Sequence, residues 1–287
     1  MKKILLIILA LFFISGCDLV DDFNDKYVYT TNYPIEYATS MLYKDNKFVS
    51  SVYPNGADNK YEITEKKKDK YAEGVTFVYS GISGEAPLAR DLLNKNSKLQ
   101  IIDATKGISN SYNFTEVWLN PSNYLMLCSN IKSSLIEYTD NAYVKEEIAN
   151  KYVLLNEKIS ELDVQLYNIA KNGNYNTILT TSDNLNYLTK YNINVISIDE
   201  NNANIDKSYS EAKKKIDEKA IEYVFVFEGQ ELNQTQEKFI SSNSLKKLEI
   251  NNLFTLTEEE RQNDDNYITL MKKIIDNYKL ELYKNSK

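Results

Sequence analysis

From residue 27 onward, short apolar runs alternate with stripes at helical spacing. β-branched and aromatic residues gather at 28–31, 49–53, 75–79 and 99–102, and these runs predict four short strands. Between the first two, Ile35, Ala38, Met41 and Leu42 repeat at helical spacing, and a further helix is predicted over 87–93, after the turn at Gly81. A helical stretch follows Pro121 and extends to about residue 138. The longest signal lies at 143–171, where Val144, Ile148, Tyr152, Leu155, Ile159, Leu162, Leu166 and Ile169 recur at intervals of three and four. A helix of that length runs roughly 40 Å at 1.5 Å per residue, and Gly173-Asn174 supplies its stop. A second series follows, with strands at 177–180, 194–198 and 223–227 and helices at 208–219, 233–241 and 265–282. Strands alternating with helices imply parallel sheets. The predicted fold class is α/β, with two lobes that each hold a central, mostly parallel sheet flanked by helices, joined by one long backbone helix.

Ahead of residue 27 the pattern changes. Met1-Lys2-Lys3 is basic, and residues 4–14 form an apolar run too short to span a bilayer as a stable anchor. The run ends in Ile14-Ser15-Gly16-Cys17, which resembles a bacterial lipobox. Residues 1–16 are therefore expected to be a cleaved signal peptide, with lipid on the thiol of Cys17. Two or three acyl chains hold a protein far more firmly than one. Residues 17–26 are polar and acidic and predict a flexible tether. The remaining divisions are an N-terminal lobe at 27–141, the linking helix at 142–172 and a C-terminal lobe at 173–287. The expected location is the extracytoplasmic face of the cell membrane, lipid-anchored.

Composition narrows the chemistry. A net charge of −7 argues against nucleic acid as a partner and is compatible with a cationic ligand. Only two cysteines occur, and Cys128 sits in an apolar run that predicts a small buried hydrophobe, so no disulfide or zinc-thiolate site is available. The chain has no histidine. A serine or cysteine nucleophile would lack its usual base, and no phosphate-binding glycine loop is present, so the protein is read as no enzyme. Glu65 to Lys70 is an alternating charge run that predicts a solvated helix face.

The order of motifs resembles the zinc- and manganese-binding receptor lipoproteins of ABC transporters, the cluster 9 solute-binding proteins that include adhesin-like lipoproteins. The landmarks are Thr30-Thr31-Asn32-Tyr33-Pro34, Pro54-Asn55-Gly56-Ala57-Asp58, Ser80-Gly81 with Glu85, Val117-Trp118-Leu119-Asn120-Pro121, Tyr187-Leu188, Phe227-Glu228, and Asn266-Tyr267 with Met271. The resemblance implies a monomer that serves a membrane permease and traps one divalent metal between its lobes, commonly with histidines and carboxylates as ligands.

Here the histidines are missing. At the first ligand position the chain offers Asp58 or Glu62, with Lys60 beside them. Glu116 precedes Val117-Trp118-Leu119 at the second, Ser182 with Asp183 stands at the third, and Asp265 keeps the carboxylate of the fourth. Oxygen-only ligands suit Mn²⁺, Mg²⁺ or Ca²⁺ rather than tightly held zinc. The expectation is that Asp58, Glu116, Asp183 and Asp265 converge on a hard cation, with Ser182 nearby. The alternative is a family member without metal capture, acting in adhesion or as an accessory protein, or binding another small solute. Trp118 is expected to pack beside the cleft, and Glu228 and Glu85 to support it.

Overall fold

The computed structural model describes residues 26–43, 46–58, 60–109 and 114–285. The signal segment, Cys17 and the tether up to residue 25 lie outside them. The first lobe holds strands β1 (Val28–Thr30), β2 (Val49–Ser51), β3 (Thr76–Tyr79) and β4 (Gln100–Asp103), with helices α1 (Tyr33–Leu42), α2 (Glu65–Ala72) and α3 (Ala86–Lys95) between them. Two helices, α4 (Phe114–Leu119) and α5 (Pro121–Glu137), lead to the long helix α6 (Ala142–Asn172). The second lobe holds β5 (Thr177–Thr180), β6 (Asn194–Ser197), β7 (Tyr223–Phe227) and β8 (Lys246–Ile250), with α7 (Ile205–Asp217), α8 (Gln234–Ser242), α9 (Glu258–Gln262) and α10 (Tyr267–Leu282).

Each sheet has four strands, in the orders β2-β1-β3-β4 and β6-β5-β7-β8, and every pairing is parallel. The strands are buried enough to read as continuous apolar or threonine runs, as parallel sheets covered on both faces require. In each sheet the chain order reverses beside the first strand. The crevice outside the carboxyl ends of strands at such a reversal is where open α/β sheets bind ligands. The segments that follow β1, β3, β5 and β7 are thus placed to form a site.

Helix α6 starts where Asn141 accepts hydrogen bonds from the backbone of Tyr143 and Val144, and it ends at Gly173. Its stripe of Val144, Ile148, Leu155, Ile159, Leu162, Leu166 and Ile169 is buried against α1, α5 and α10. The core therefore runs from one lobe to the other without a break, with Trp118, Tyr124, Tyr267 and Tyr278 wholly buried within it. Cys128 is buried there too, and burial pushes its thiol well above the usual range.

Several elements differ from the sequence reading. Strand β8 and helix α9 lie where no element was predicted, residues 183–191 form a 3₁₀ helix, and α4 precedes Pro121. The 3₁₀ helix begins at Ser182, whose hydroxyl caps Asn184, and stops at Asn192, which takes a left-handed conformation with φ of 64°.

The buried stripe generates a paired expectation. Leu162→Ala should cost about 2–5 kcal/mol in urea unfolding, whereas Val164→Ala, at a position 55 % exposed, should stay within about 0.5 kcal/mol. Equal losses at the two positions would contradict the orientation of α6.

Candidate functional site

Glu116 lies on α4, a helix too short to be stable alone and held by the core contacts of Val117, Trp118 and Leu119. Residues two apart on a helix face nearly opposite ways. Trp118 turns into the core and donates from Nε1 to the carbonyl of Asn252 at 2.8 Å, while Glu116 faces the 3₁₀ helix that opens with Asp183. Glu116 is only 8 % exposed, and its carboxyl receives no hydrogen bond from the described residues. Burial first, and the charge of Asp183 second, push its pKa up to about 7. The buried hydroxyl of Tyr187 is also within electrostatic reach, and it meets the hydroxyl of Tyr278 at 3.3 Å.

The structure brings together Glu116 and Asp183, with Ser182 buried next to them, and leaves the other predicted ligands elsewhere. Asp265, whose side chain is 10 % exposed, is held by Lys273 at 2.8 Å and by the hydroxyl of Thr269 at 3.2 Å. It stands just ahead of α10 and is the ion-pair partner of Lys273 within that helix. Asp58 is exposed and accepts the backbone N–H of Lys60 at 3.0 Å. Glu62 is exposed and makes no side-chain hydrogen bond with the described residues. Among the described residues no three aspartate, glutamate or cysteine side chains gather where they could hold a metal ion. The four expected carboxylates therefore form one pair and two separate groups.

Glu85 and Glu228 have distinct surroundings. Glu85 is buried and accepts the backbone N–H of Ser80 at 2.9 Å, which pins the loop after β3, and burial raises its pKa to about 7. Glu228 follows β7 and, with Asp58, lines a cavity between the lobes. Partial burial, then Glu260 and Glu249, raise its pKa.

The residues that sequence reasoning missed belong to a strap at 251–257. Asn251 and Asn252 each accept from the backbone two residues on, Leu253 at 2.6 Å and Phe254 at 2.8 Å, forming two successive asparagine turns. They hold Leu253 in the left-handed region, with φ of 61°. The strap then docks on the first lobe through backbone bonds. The carbonyl of Phe254 accepts from Tyr33 at 2.8 Å and that of Leu256 from Gly56 at 2.9 Å, while the hydroxyl of Thr255 donates to the carbonyl of Ala57 at 2.7 Å. The Phe254 ring packs against Tyr53, Phe114 and Trp118, with centroids 5.2, 6.2 and 6.5 Å away. Arg261 adds an ion pair to Glu36 at 2.8 Å and also reaches the side chain of Asn55.

The family model described as zinc-uptake complex component A, periplasmic (ZnuA), matches residues 28–280. The chain belongs to this family. The resemblance read from the motifs is thereby borne out, as is the two-lobed α/β fold. The zinc-binding lipoprotein AdcA of Streptococcus pneumoniae is 26 % identical over an alignment 304 positions long, gaps included, which covers 95 % of this chain and 60 % of that protein. The chain thus spans about 60 % of the length of the curated relative it matches. The Zn(II)-bound ZnuA-like domain of the same AdcA superposes with a TM-score of 0.70 at 24 % identity, over 90 % of this chain and 98 % of that one. The metal-dependent lipoprotein YcdH of Bacillus subtilis gives 0.72 at 21 %, over 90 % and 99 %. A Mn-bound periplasmic metal-binding protein of Candidatus Liberibacter asiaticus gives 0.72 at 16 %, over 90 % and 100 %. At these identities the structural likenesses establish the ZnuA fold.

The state of Glu116 generates a pH prediction. Between its ordinary value of 4.5 and about 7, the native protein keeps a proton that the unfolded chain has lost, so this group's contribution to stability falls as pH rises through that window. In chelator-treated protein, Glu116→Gln should be more stable than the parent by on the order of 2 kcal/mol at about pH 8 and nearly equal to it at about pH 4. Glu85, raised for the same reason, keeps part of the slope in the variant. Urea titrations at both pH values measure it, and a variant less stable at the higher pH would refute the assigned environment.

Proposed function

We propose that this chain is the extracytoplasmic solute-binding component of a metal-type ABC transporter, tethered to the membrane by lipid on Cys17 and delivering its cargo to a permease. It binds and releases a solute and does no chemistry on it. The cargo favoured by the geometry is a hard divalent cation such as Mn²⁺. The observation that carries this reading is Glu116, desolvated on α4 of the first lobe within electrostatic reach of Asp183, which follows β5 at the carboxyl end of the second sheet. Structural zinc sites call on four nitrogen or sulfur ligands in a tetrahedron. With no histidine and Cys128 buried in the core, the described residues provide only oxygen. Carboxylate, hydroxyl and water are the ligands of Mn²⁺, Mg²⁺ and Ca²⁺. Relatives named for zinc or manganese support the transport class and leave the ion to be decided by these oxygens.

A second reading is favoured by the separation of Asp58 and Asp265 from the pair. In it, the fold is kept without metal capture, for another small solute or for an accessory or adhesin-like role at the cell surface.

A thermal-shift screen with Mn²⁺, Zn²⁺, Ca²⁺, Mg²⁺ and chelator, followed through the single buried tryptophan, separates the two. At about a hundred times Kd a bound cation adds roughly 2.7 kcal/mol, or about 5–10 °C for a chain of this size. The expected result is such a shift with a hard cation, abolished by Glu116→Ala. Cooperative melting that no ion moves would reject metal capture and leave the second reading.

A further inference from the structure

None of the five residues of α9 is buried, so apolar packing does not hold this helix in place. The bonds that tie it to the first lobe are polar. Nη2 of Arg261 donates to the carboxylate of Glu36 at 2.8 Å, its Nε donates to the side-chain oxygen of Asn55, and the Asn55 amide donates to Glu258 at 2.9 Å. The guanidinium also lies over the Tyr33 ring, 5.8 Å from the centroid. Glu36 stands in the first turn of α1, where the helix dipole favours a carboxylate, and its side chain is 13 % exposed. One side chain thus joins α1 and the turn after β2 to a helix of the second lobe. The only other arginine of the chain is Arg90, and lysine is the cation everywhere else. A lysine here would be a point charge on a flexible stem, unable to present two fixed donors to Glu36 and Asn55 together.

The strap at 251–257 and α9 form a unit with bonds of its own. The Asn251 amide donates to Glu260 at 2.6 Å, and Thr257 and Glu260 cap each other at the start of α9. Leu253 and Asp264, near the two ends of the unit, take left-handed conformations with φ of 61° and 55°. These internal bonds do not involve the first lobe, so the unit can leave it without losing them. Asn251, Asn252, Thr255 and Thr257 of the unit wall a cavity of about 360 Å³ between the lobes. Displacing the unit removes that wall.

We propose that Arg261 is the clasp of a gate: its fork onto Glu36 and Asn55 holds the strap and α9 against the first lobe, and release of the fork lets them swing away from the inter-lobe cavity while the long helix and both sheets stay in place. The inference goes beyond the solute-receptor reading and rests on it only in assigning a solute to the gate. Opening starts at α9, where water can replace the polar bonds. It then meets Leu256, Phe254 and Leu253, which are buried and resist it. Beyond the clasp, the bond from Gly56 to Leu256 is the first to break, and that from Tyr33 to Phe254 follows.

Native-state hydrogen exchange on the purified full chain, in chelator and resolved to single amides, measures this opening. Arg261→Lys keeps the charge and loses the fork, while Glu36→Gln keeps the shape and loses the charge. Each should speed exchange of the Gly56 amide roughly tenfold or more and that of Tyr33 by less, with Leu162 and Leu166 on α6 unchanged. The double variant should exchange no faster than the faster single one, because both changes remove one interaction. Arg90→Lys, the same replacement at an exposed position, should alter none of these amides. Unaltered Gly56 exchange in both single variants overturns the clasp. So does equal acceleration at Leu162, which would mark a global loss of stability, and so do independent, multiplying effects in the double variant. Because no solute is used, a failed cation screen would reject metal capture without touching the clasp, and a failed clasp would leave the receptor reading intact.

Discussion

The position of every group in the cleft depends on two backbone hydrogen bonds that cross between the lobes, from Tyr33 to Phe254 and from Gly56 to Leu256. Tyr33 opens α1, so its N–H is one of the donors that a helix start cannot satisfy internally. It is also buried, and a buried backbone donor left unpaired costs about 1–3 kcal/mol. The second lobe supplies the missing acceptor. Separating the lobes would therefore break an interface and strip a helix cap at the same time. The aromatic packing of Phe254 on Tyr53 and Trp118 acts in the same direction, because it removes apolar surface from water only while the strap is docked.

That frame explains why α4 can hold a carboxyl in a desolvated place. One face of the helix is locked by Trp118, which donates to the strap, and by the hydroxyl of Tyr267, which donates to the Trp118 carbonyl at 2.6 Å. Glu116 projects from the other face, so the backbone that carries it is fixed by the tryptophan. Its raised pKa is thus a consequence of core packing on the far side of a six-residue helix. The same arrangement separates the two kinds of chemistry in the cleft. The Glu116–Asp183 pair sits beside the aromatic packing, while Asp58 and Glu228 line a separate cavity walled by turns.

Periodicity made the long helix legible, because one apolar stripe sustained from Val144 to Ile169, about seven turns, admits few alternatives. The strands buried on both faces were legible for a similar reason. Strand β8 was not: Lys246-Lys247-Leu248-Glu249-Ile250 is an edge strand, and its lysines, which keep an edge from pairing with another chain, are also what make it look like a loop. The strap was hidden because its decisive bonds are backbone to backbone between segments about two hundred residues apart, and such bonds leave no side-chain signature. Asn251-Asn252 did announce a turn, but nothing in it told where the turn would dock. At the site, the order of motifs put Glu116 and Asp183 in one expected set of four carboxylates, and in the structure the charge of Asp183 reaches Glu116. It could not locate the partner of Asp265, since a lysine eight positions on is an ordinary surface residue until the helix brings the two together.

The absence of histidine has a physical consequence for how ligands can be arranged. Neutral imidazoles can be packed side by side in a preformed site, because they carry no net charge until a metal or a proton arrives. Carboxylates cannot. Two of them brought together out of water force at least one to hold its proton, and each further one adds to the penalty. The distribution seen here obeys that limit: one acid is desolvated and shifted beside a partner, one is neutralised by lysine, and one is left in water. A receptor built from acids must therefore keep its charges apart and let the arriving cation supply the attraction between them. The strap makes this workable, since it fixes the distance between the lobes by neutral hydrogen bonds and leaves the carboxylates free to respond to charge.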